Sequence, residues 1–145
     1  MNRLEARNFM YTMARDQFAA ATTAVLGAPG VMRYAGIVNK VVIDNEVYWA
    51  RASMQLVIER QETLRNNVRR FVTTGLHYIQ LFAPVTDINA QVNLDVIAPR
   101  IRDAYRVCQS GDLEFTKAEI RDNLPPEPSW LKTNIVSQFN YREFI

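Results

Sequence analysis

Apolar and polar side chains alternate along residues 47–63 and 130–141, and such alternation predicts β-strands. A third strand is predicted at 69–84, which is rich in β-branched and aromatic residues and ends at a proline. The stretch at 69–84 is apolar on both faces, which is typical of a central strand covered from both sides. Gly75 interrupts it, and a glycine inside a strand indicates a bulge or a close backbone approach. A weaker pattern over 113–121 changes its apolar face between Phe115 and Ala118, which suggests a bulge or an edge strand.

Two other stretches repeat their apolar residues at steps of three and four, which predicts helices. The first helix covers about 2–26 and ends at Gly27. The second is capped by Asp87 and runs to about Cys108, with Pro99 expected to kink or split it. Its predicted buried stripe consists of Ile88, Val92, Val96, Ile97, Ile101, Ala104, Tyr105 and Cys108. We expect Ile101 to share one core cluster with Phe82 of the central strand.

The elements follow one another as helix, strand, strand, helix, strand, strand. This order predicts a single α+β domain over residues 1–145, with a mainly antiparallel sheet and helices packed on it. The sheet and second helix span about 41–141. Within 31–45 the pattern is ambiguous, with a possible short strand at 41–43 and a turn at 44–45. Three prolines within 124–129 predict a loop there.

Candidate chemistry is sparse. His77 is the only histidine and lies within the most strand-like segment, where a hydrogen-bonded structural role is the usual one. Cys108 is the only cysteine, so no internal disulfide can form, and a reducing compartment is the default. The glycine spacing matches no phosphate-binding or dinucleotide motif. We therefore expect no catalytic residue, no cofactor-binding residue and no metal ligand.

The net charge is only +2, but the basic residues are mostly of one type. Fourteen of the 17 basic residues are arginine, which indicates either protein interfaces or a codon bias of the genome. A connection at 64–68 joins two long strands, and charges of both signs surround it. The interpretation favoured here is a solvated or partner-binding hairpin tip.

Two sets of residues have a recognisable spacing. The first is Arg70, Gly75, Leu76, Gln80, Phe82 and Pro84, and the second is Trp130, Asn134, Phe139 and Tyr141. With these motifs, the segment from 48 to 141 resembles the tail terminator proteins of long-tailed bacteriophages, which belong to the neck, where head and tail join. None of the matched residues belongs to a catalytic motif.

The resemblance implies a structural virion protein and not an enzyme. Such a protein caps the completed tail tube as a ring, expected to be a homohexamer, and forms the interface to the head connector. The implied partners are its own copies, the tail tube protein and the head–tail connector protein. DNA only passes through the lumen, and no membrane is involved. The implied location is the tail or neck of the virion, after assembly in the host cytoplasm.

Two alternatives remain open from the sequence. One is a head-completion protein or another neck adaptor, and the other is a small hydrolase or binding module using the 59–70 loop. For the ring, the hypothesised contact surface with a neighbouring subunit or the tail tube combines the polar strand face with the charged tip. It comprises Arg51, Ser53, Gln55, Glu59, Arg60, Glu62, Arg65, Arg69 and Arg70.

Overall fold

A computed structural model describes residues 1–35, 47–65, 68–122 and 129–144, without the side chains of 63–65. The possible strand at 41–43, the turn at 44–45 and most of the proline-rich loop lie outside this description. In the described part, two helices accompany a six-stranded sheet, which confirms the α+β class. The helices are α1 (Arg3–Leu26) and α2 (Ala90–Arg106). The strands are β1 (Val31–Tyr34), β2 (Trp49–Arg65), β3 (Val68–Pro84), β4 (Gln109–Ser110), β5 (Leu113–Arg121) and β6 (Trp130–Phe144).

The strands are arranged in the order β1-β2-β3-β6-β5-β4. Only the short β1 pairs in parallel, with β2, and the other described pairs are antiparallel. The sheet is therefore mainly antiparallel, as predicted, and the short strands β1 and β4 are additions to the predicted order. The register of β5 against β6 shifts between Phe115 and Lys117, which confirms a bulge where the apolar face changes.

Helix α1 has well-defined ends. The Asn2 side chain accepts a hydrogen bond from the Glu5 backbone N–H, and the Glu5 carboxylate accepts one from the Asn2 N–H. This reciprocal pair satisfies two donors that a helix N-terminus leaves open. At the other end, Gly27 adopts φ 80° and donates its N–H to the Thr23 carbonyl. The predicted first helix is confirmed.

Strand β3 is central, with β2 on one side and β6 on the other. The predicted central strand at 69–84 is thus confirmed. The close approach predicted at Gly75 is also present, because a Cβ there would collide with the Gln55 carbonyl oxygen and the Phe139 ring. Glycine is required at this position by the neighbouring strands and not by its own backbone angle.

Substitution of Gly75 by alanine is expected to lower the free energy of unfolding by about 1–3 kcal/mol, the usual range for overpacking a core. The strain arises because backbone and a buried ring must both move. Chemical denaturation of Gly75→Ala measures the change. Gly111→Ala is the matched control for size, since no atom lies near its Cβ position, although its φ of 54° adds backbone strain. Wild-type stability of Gly75→Ala would show that β2 and β6 are not packed this tightly.

The two strands of the hairpin run further than the sequence indicates. Strand β2 continues to Arg65 and β3 begins at Val68, so the predicted connection at 64–68 is too long. Two register shifts, at Leu56/Ile58 and Gln61/Thr63, let the ladder continue through polar sequence. Exposed strands can carry charged side chains because these point into water while the backbone groups stay paired.

Helix α2 differs from its prediction at the start. It begins at Ala90, and Asp87 does not cap it directly. The Asp87 carboxylate instead accepts hydrogen bonds from the Asn89 backbone N–H and, at 2.7 Å, from the Tyr48 hydroxyl. This Tyr48 contact contributes most to lowering the pKa of Asp87, and the Asn89 contact adds to it. The helix is continuous through Pro99, so the proline does not split it.

The predicted buried stripe of α2 is partly wrong. Ile97, Ile101 and Tyr105 are fully buried, but Ile88, Val92 and Val96 are 95%, 63% and 42% exposed. The helix is rotated so that a different row meets the sheet. Its buried residues are Ala90, Leu94, Ile97, Ala98, Ile101 and Tyr105. Ala90 and Ala98 are among the residues that face the sheet, whereas Val92 and Val96 face outward.

Both helices pack on one face of the sheet, where they enclose the main core cluster with strand residues such as Ile79 and Leu81. Phe82 does not belong to this cluster, so its expected contact with Ile101 is wrong. Successive side chains in a strand point to opposite faces, and Phe82 follows Leu81 on the other side. We call that side, opposite α1 and α2, the outer face.

Candidate interaction surface

The outer face contains the polar side of β2 that the sequence singles out. Arg51, Ser53 and Gln55 lie opposite Gln80, Tyr78 and Leu76 of β3, respectively. The Arg51 guanidinium donates to the Gln80 side-chain oxygen, with Nε 2.8 Å away. Arg51 and Ser53 are partly buried and Gln55 is exposed. The predicted grouping of these three residues on one face is confirmed.

An aromatic stack occupies the end of the outer face nearest Pro84. The rings of Trp49 and Phe82 lie nearly parallel with centroids 4.0 Å apart, and Trp130 meets Trp49 edge-on at 5.8 Å. The Arg51 guanidinium and the Lys132 ammonium each lie 5.7 Å from the Phe82 ring centre. Phe82 is only 1% exposed although neither helix covers it. Aromatic and cationic side chains therefore build a second, smaller packed layer.

At the opposite end, β2 and β3 continue as an arm, defined here as residues 57–65 and 68–71. The pairing divides its charges between the two faces. Arg60 and Arg70 lie on the outer face with Arg51, whereas Glu59 and Arg69 point to the other side. The hypothesised cluster is thus not one surface, because adjacent residues of a strand alternate between faces.

The remaining predicted charges of the arm differ in their surroundings. Glu62 lies at the second register shift and its carboxylate is 2.6 Å from the Arg70 Nε. Both side chains are about one-third exposed, so water screens this ion pair. The backbone of Arg65 pairs with Val68, and its side chain is outside the described part. The charge of Arg70 is therefore partly offset by Glu62 at the margin of the outer face.

Apolar side chains accompany these arginines, which the sequence analysis missed. Ile58, Val68 and Phe144 are 55%, 48% and 56% exposed. Their pairing places all three on the outer face, around the buried Val72. We call Ile58, Val68 and Phe144 the arm patch. All three apolar residues stand at even-numbered strand positions, which could have indicated the group. The bulge at Val57 obscured it, because it moves Ile58 to the face opposite the one that simple alternation predicts.

Basic residues outnumber acidic ones on the described outer face. Cross-strand register places there Arg33, Arg51, Arg60, Arg70, Lys117, Arg121, Lys132 and Arg142. Its acidic side chains are Glu114 and Glu119, with Glu62 at its margin, and each contacts a basic neighbour. The sequence analysis did not select Arg33, Lys117, Arg121, Lys132 or Arg142. These residues lie on different strands, and only the pairing of the strands in the folded chain places them on one face. The small net charge of the chain hides a positive face.

His77 lies in the main core, fully buried between β2 and α2. Its Nδ1 is 3.0 Å from the Ser53 carbonyl oxygen and its Nε2 is 3.0 Å from the Tyr105 hydroxyl. A carbonyl can only accept, so we assign the proton to Nδ1, and Nε2 accepts from Tyr105. Burial lowers the pKa of His77 to about 4. The ring is therefore neutral at pH 7, with both nitrogens engaged in structural hydrogen bonds.

Cys108 follows α2 and borders an apolar cavity of about 420 Å³ between the helices, also lined by Phe9 and Met13. Burial raises the pKa of its thiol, which keeps the sulfur protonated. Within the described ranges, no cluster of three or more His, Cys, Asp or Glu side chains is placed to hold a metal ion. None of the helices described is long and apolar enough to cross a membrane.

Comparison with known proteins adds information about the fold alone. No protein-family model matches the chain. No curated protein matches it either. Among solved structures, one chain of 12% sequence identity superposes with a TM-score of 0.57, covering 93% of this chain and 94% of its own length. At this identity the match shows that the two chains share a fold over nearly their whole length.

Proposed function

We propose that this protein is a tail terminator of a long-tailed bacteriophage. Its copies close into a ring, which caps the completed tail tube and presents a surface to the head–tail connector protein. In this role it is a structural component of the virion neck, and DNA passes through the ring without being read. The spacing of Arg70, Gly75, Gln80, Phe82 and Pro84 supports the assignment to this group of proteins.

The main observation in support of the proposal is the exposed apolar group at the arm, the arm patch. Ile58 and Val68 of the arm and Phe144 at the end of the adjoining β6 are about half exposed, beyond the main helix-covered core. Exposed apolar residues that form a group often mark a surface that binds another protein. The flanking Arg60 and Arg70 add the residue type most enriched at such contacts. These features favour a subunit that assembles.

The rest of the outer face, towards Pro84, offers a second contact region with a different character. Its arginines and lysines, with the aromatic stack of Trp49 and Phe82, form a broad positive surface. A ring subunit needs one surface for each neighbour and others for the tube and the connector. Complementary charge sets the register of such contacts and speeds their formation. The arm patch and the rest of the outer face provide two regions of different character for such contacts.

The proposal is tested by the mass and shape of the purified protein. Sedimentation velocity should find a species of about 100 kDa, since six copies of the 16.7 kDa chain have this mass. Electron microscopy of that species should show closed rings of uniform diameter. Rings should also be found at one end of tail tubes assembled from the tube protein of the same phage. A protein that stays monomeric and does not bind tube ends contradicts the proposal.

Charge reversal on the arm should separate assembly from folding. Arg60→Glu with Arg70→Glu changes the outer face, and we expect at least a tenfold weaker assembly with less than 1 kcal/mol change in unfolding free energy. The matched control is Arg69→Glu on the opposite side of the same arm, which should assemble normally. Sedimentation at equal concentrations measures both. Equal loss of assembly in the double variant and the control would refute a role for the outer face.

A further inference from the structure

Helix α2 exposes a row of apolar side chains that the chain's own core does not use. Val92 and Val96 are one turn apart on the exposed side of the helix, and Ile88 is exposed in the turn that precedes it. Leu94 and Ile97 are buried on the other side, against the sheet. We call Ile88, Val92 and Val96 the helix stripe. Within the helix, Val92 and Val96 lie about 6 Å apart along the axis, at 1.5 Å per residue.

The helix stripe and the arm patch lie at opposite ends of the molecule. Val68 of the arm patch begins β3, and Ile88 of the helix stripe follows shortly after Pro84, which ends it. Strand β3 has 17 residues, which at about 3.3 Å each span about 50 Å. The two apolar surfaces cannot meet within one chain, but they can meet between copies.

The charges beside the two surfaces have opposite sign. The arm patch is flanked on the same face by Arg60 and by Arg70, of which Arg70 is paired with Glu62. On α2, Asp95 is exposed between Val92 and Val96 and accepts a hydrogen bond from Gln91 at 3.0 Å. The first basic residue along α2 is Arg100, one turn beyond the stripe. A two-fold contact of either surface with itself would therefore oppose like charges, whereas arm on helix would pair opposite ones.

We propose that the arm patch of one copy docks on the helix stripe of the next copy. This inference rests on the proposed ring and assigns the two surfaces that form its subunit contact. Joining two different surfaces is a heterologous contact, which closes into a ring when the rotation between copies allows it. Burial of these six exposed apolar side chains supplies the apolar centre, and Arg60 with Asp95 sets the register.

Cysteine cross-linking tests the contact in the Cys108→Ala background. Ile58→Cys and Val92→Cys are prepared as separate proteins, mixed and oxidised. Arm-to-helix docking brings the two thiols of different copies together, so the mixture should form mixed disulfide dimers, and neither protein alone should do so. The double variant carrying both cysteines should form a ladder of linked chains up to the ring size. Val107→Cys in place of Val92→Cys is the control, since Val107 is 84% exposed but outside the stripe.

Each outcome decides a different point. Rings of normal mass that give no mixed disulfide overturn the docking and leave the proposed function standing. Dimers from a single variant alone also overturn it, because they indicate a two-fold contact. Disulfide formation with the Val107→Cys control at the same rate overturns it as random collision. Absence of any assembly on tube ends overturns the proposed function and the docking together.

A charge exchange provides an independent test of the register. Asp95→Arg and Arg60→Asp should each weaken assembly at least tenfold, measured by sedimentation over a concentration series. Their combination in one chain should recover a large part of that loss, since the pair is restored with reversed sign. Recovery supports the contact, and simple accumulation of the two losses overturns it.

Discussion

Replacing Phe82 by alanine is expected to lower the free energy of unfolding by about 3–5 kcal/mol, as for buried phenylalanines generally. Phe82 is 1% exposed and its ring stacks on Trp49 at 4.0 Å. Its loss removes buried apolar area and also the surface on which the Arg51 and Lys132 cations lie. Urea denaturation followed by far-ultraviolet circular dichroism measures the change.

The matched control is Phe144→Ala, which alters the same residue type on the same face of the sheet. Phe144 is 56% exposed, so its replacement should cost less than about 1 kcal/mol in the isolated chain. In assembly the order should be reversed: Phe144→Ala should weaken assembly more than Phe82→Ala, because Phe144 belongs to the arm patch. If Phe82→Ala lowered the free energy of unfolding no more than Phe144→Ala does, the aromatic stack on the outer face would contribute nothing to the stability of the fold.

Acidification from pH 7 to pH 5 is expected to destabilise the protein by about 2 kcal/mol through His77. The pKa of this residue is about 4 in the folded chain and 6.5 as its ordinary value. The unfolded chain therefore binds a proton more readily than the folded one. The contribution of neutral His77 to stability is complete above pH 6.5 and is lost progressively as the pH falls towards 4. Equilibrium denaturation at half-unit steps of pH measures it.

The assignment to one residue is possible because the chain has a single histidine. His77→Gln can keep one donor and one acceptor near Ser53 and Tyr105 but does not titrate in this range. Its stability should be nearly constant between pH 7 and pH 5. Hydrogen bonds from Tyr48 and Arg121 lower the pKa values of Asp87 and Glu119, respectively, so the effect of these two carboxyl groups is confined to more acidic solutions. The same pH dependence in the variant and the wild type would contradict the burial of His77.

The local pattern of the sequence was sufficient for the class of the fold and for most elements. Period-two alternation located β2, β6 and, more weakly, β5, while a run of β-branched and aromatic residues located β3 and the glycine at 27 located the end of α1. Gly75 correctly indicated a close approach, because a missing side chain inside a strand is informative by itself. The polar side of β2, with Arg51, Ser53 and Gln55, was also readable from alternation alone. These features depend on neighbours in the chain, which the sequence contains.

Only the tertiary structure decided which residues of different elements share a surface. Strand register brings Arg33, Arg121 and Arg142 onto one face with Arg51, and bulges reset the alternation so that Ile58 is exposed. The rotation of α2 about its axis buries Leu94 and exposes Val92, since apolar residues on both sides of a helix leave its orientation undetermined by pattern. Both choices are set by packing against distant parts of the chain, which local periodicity does not encode.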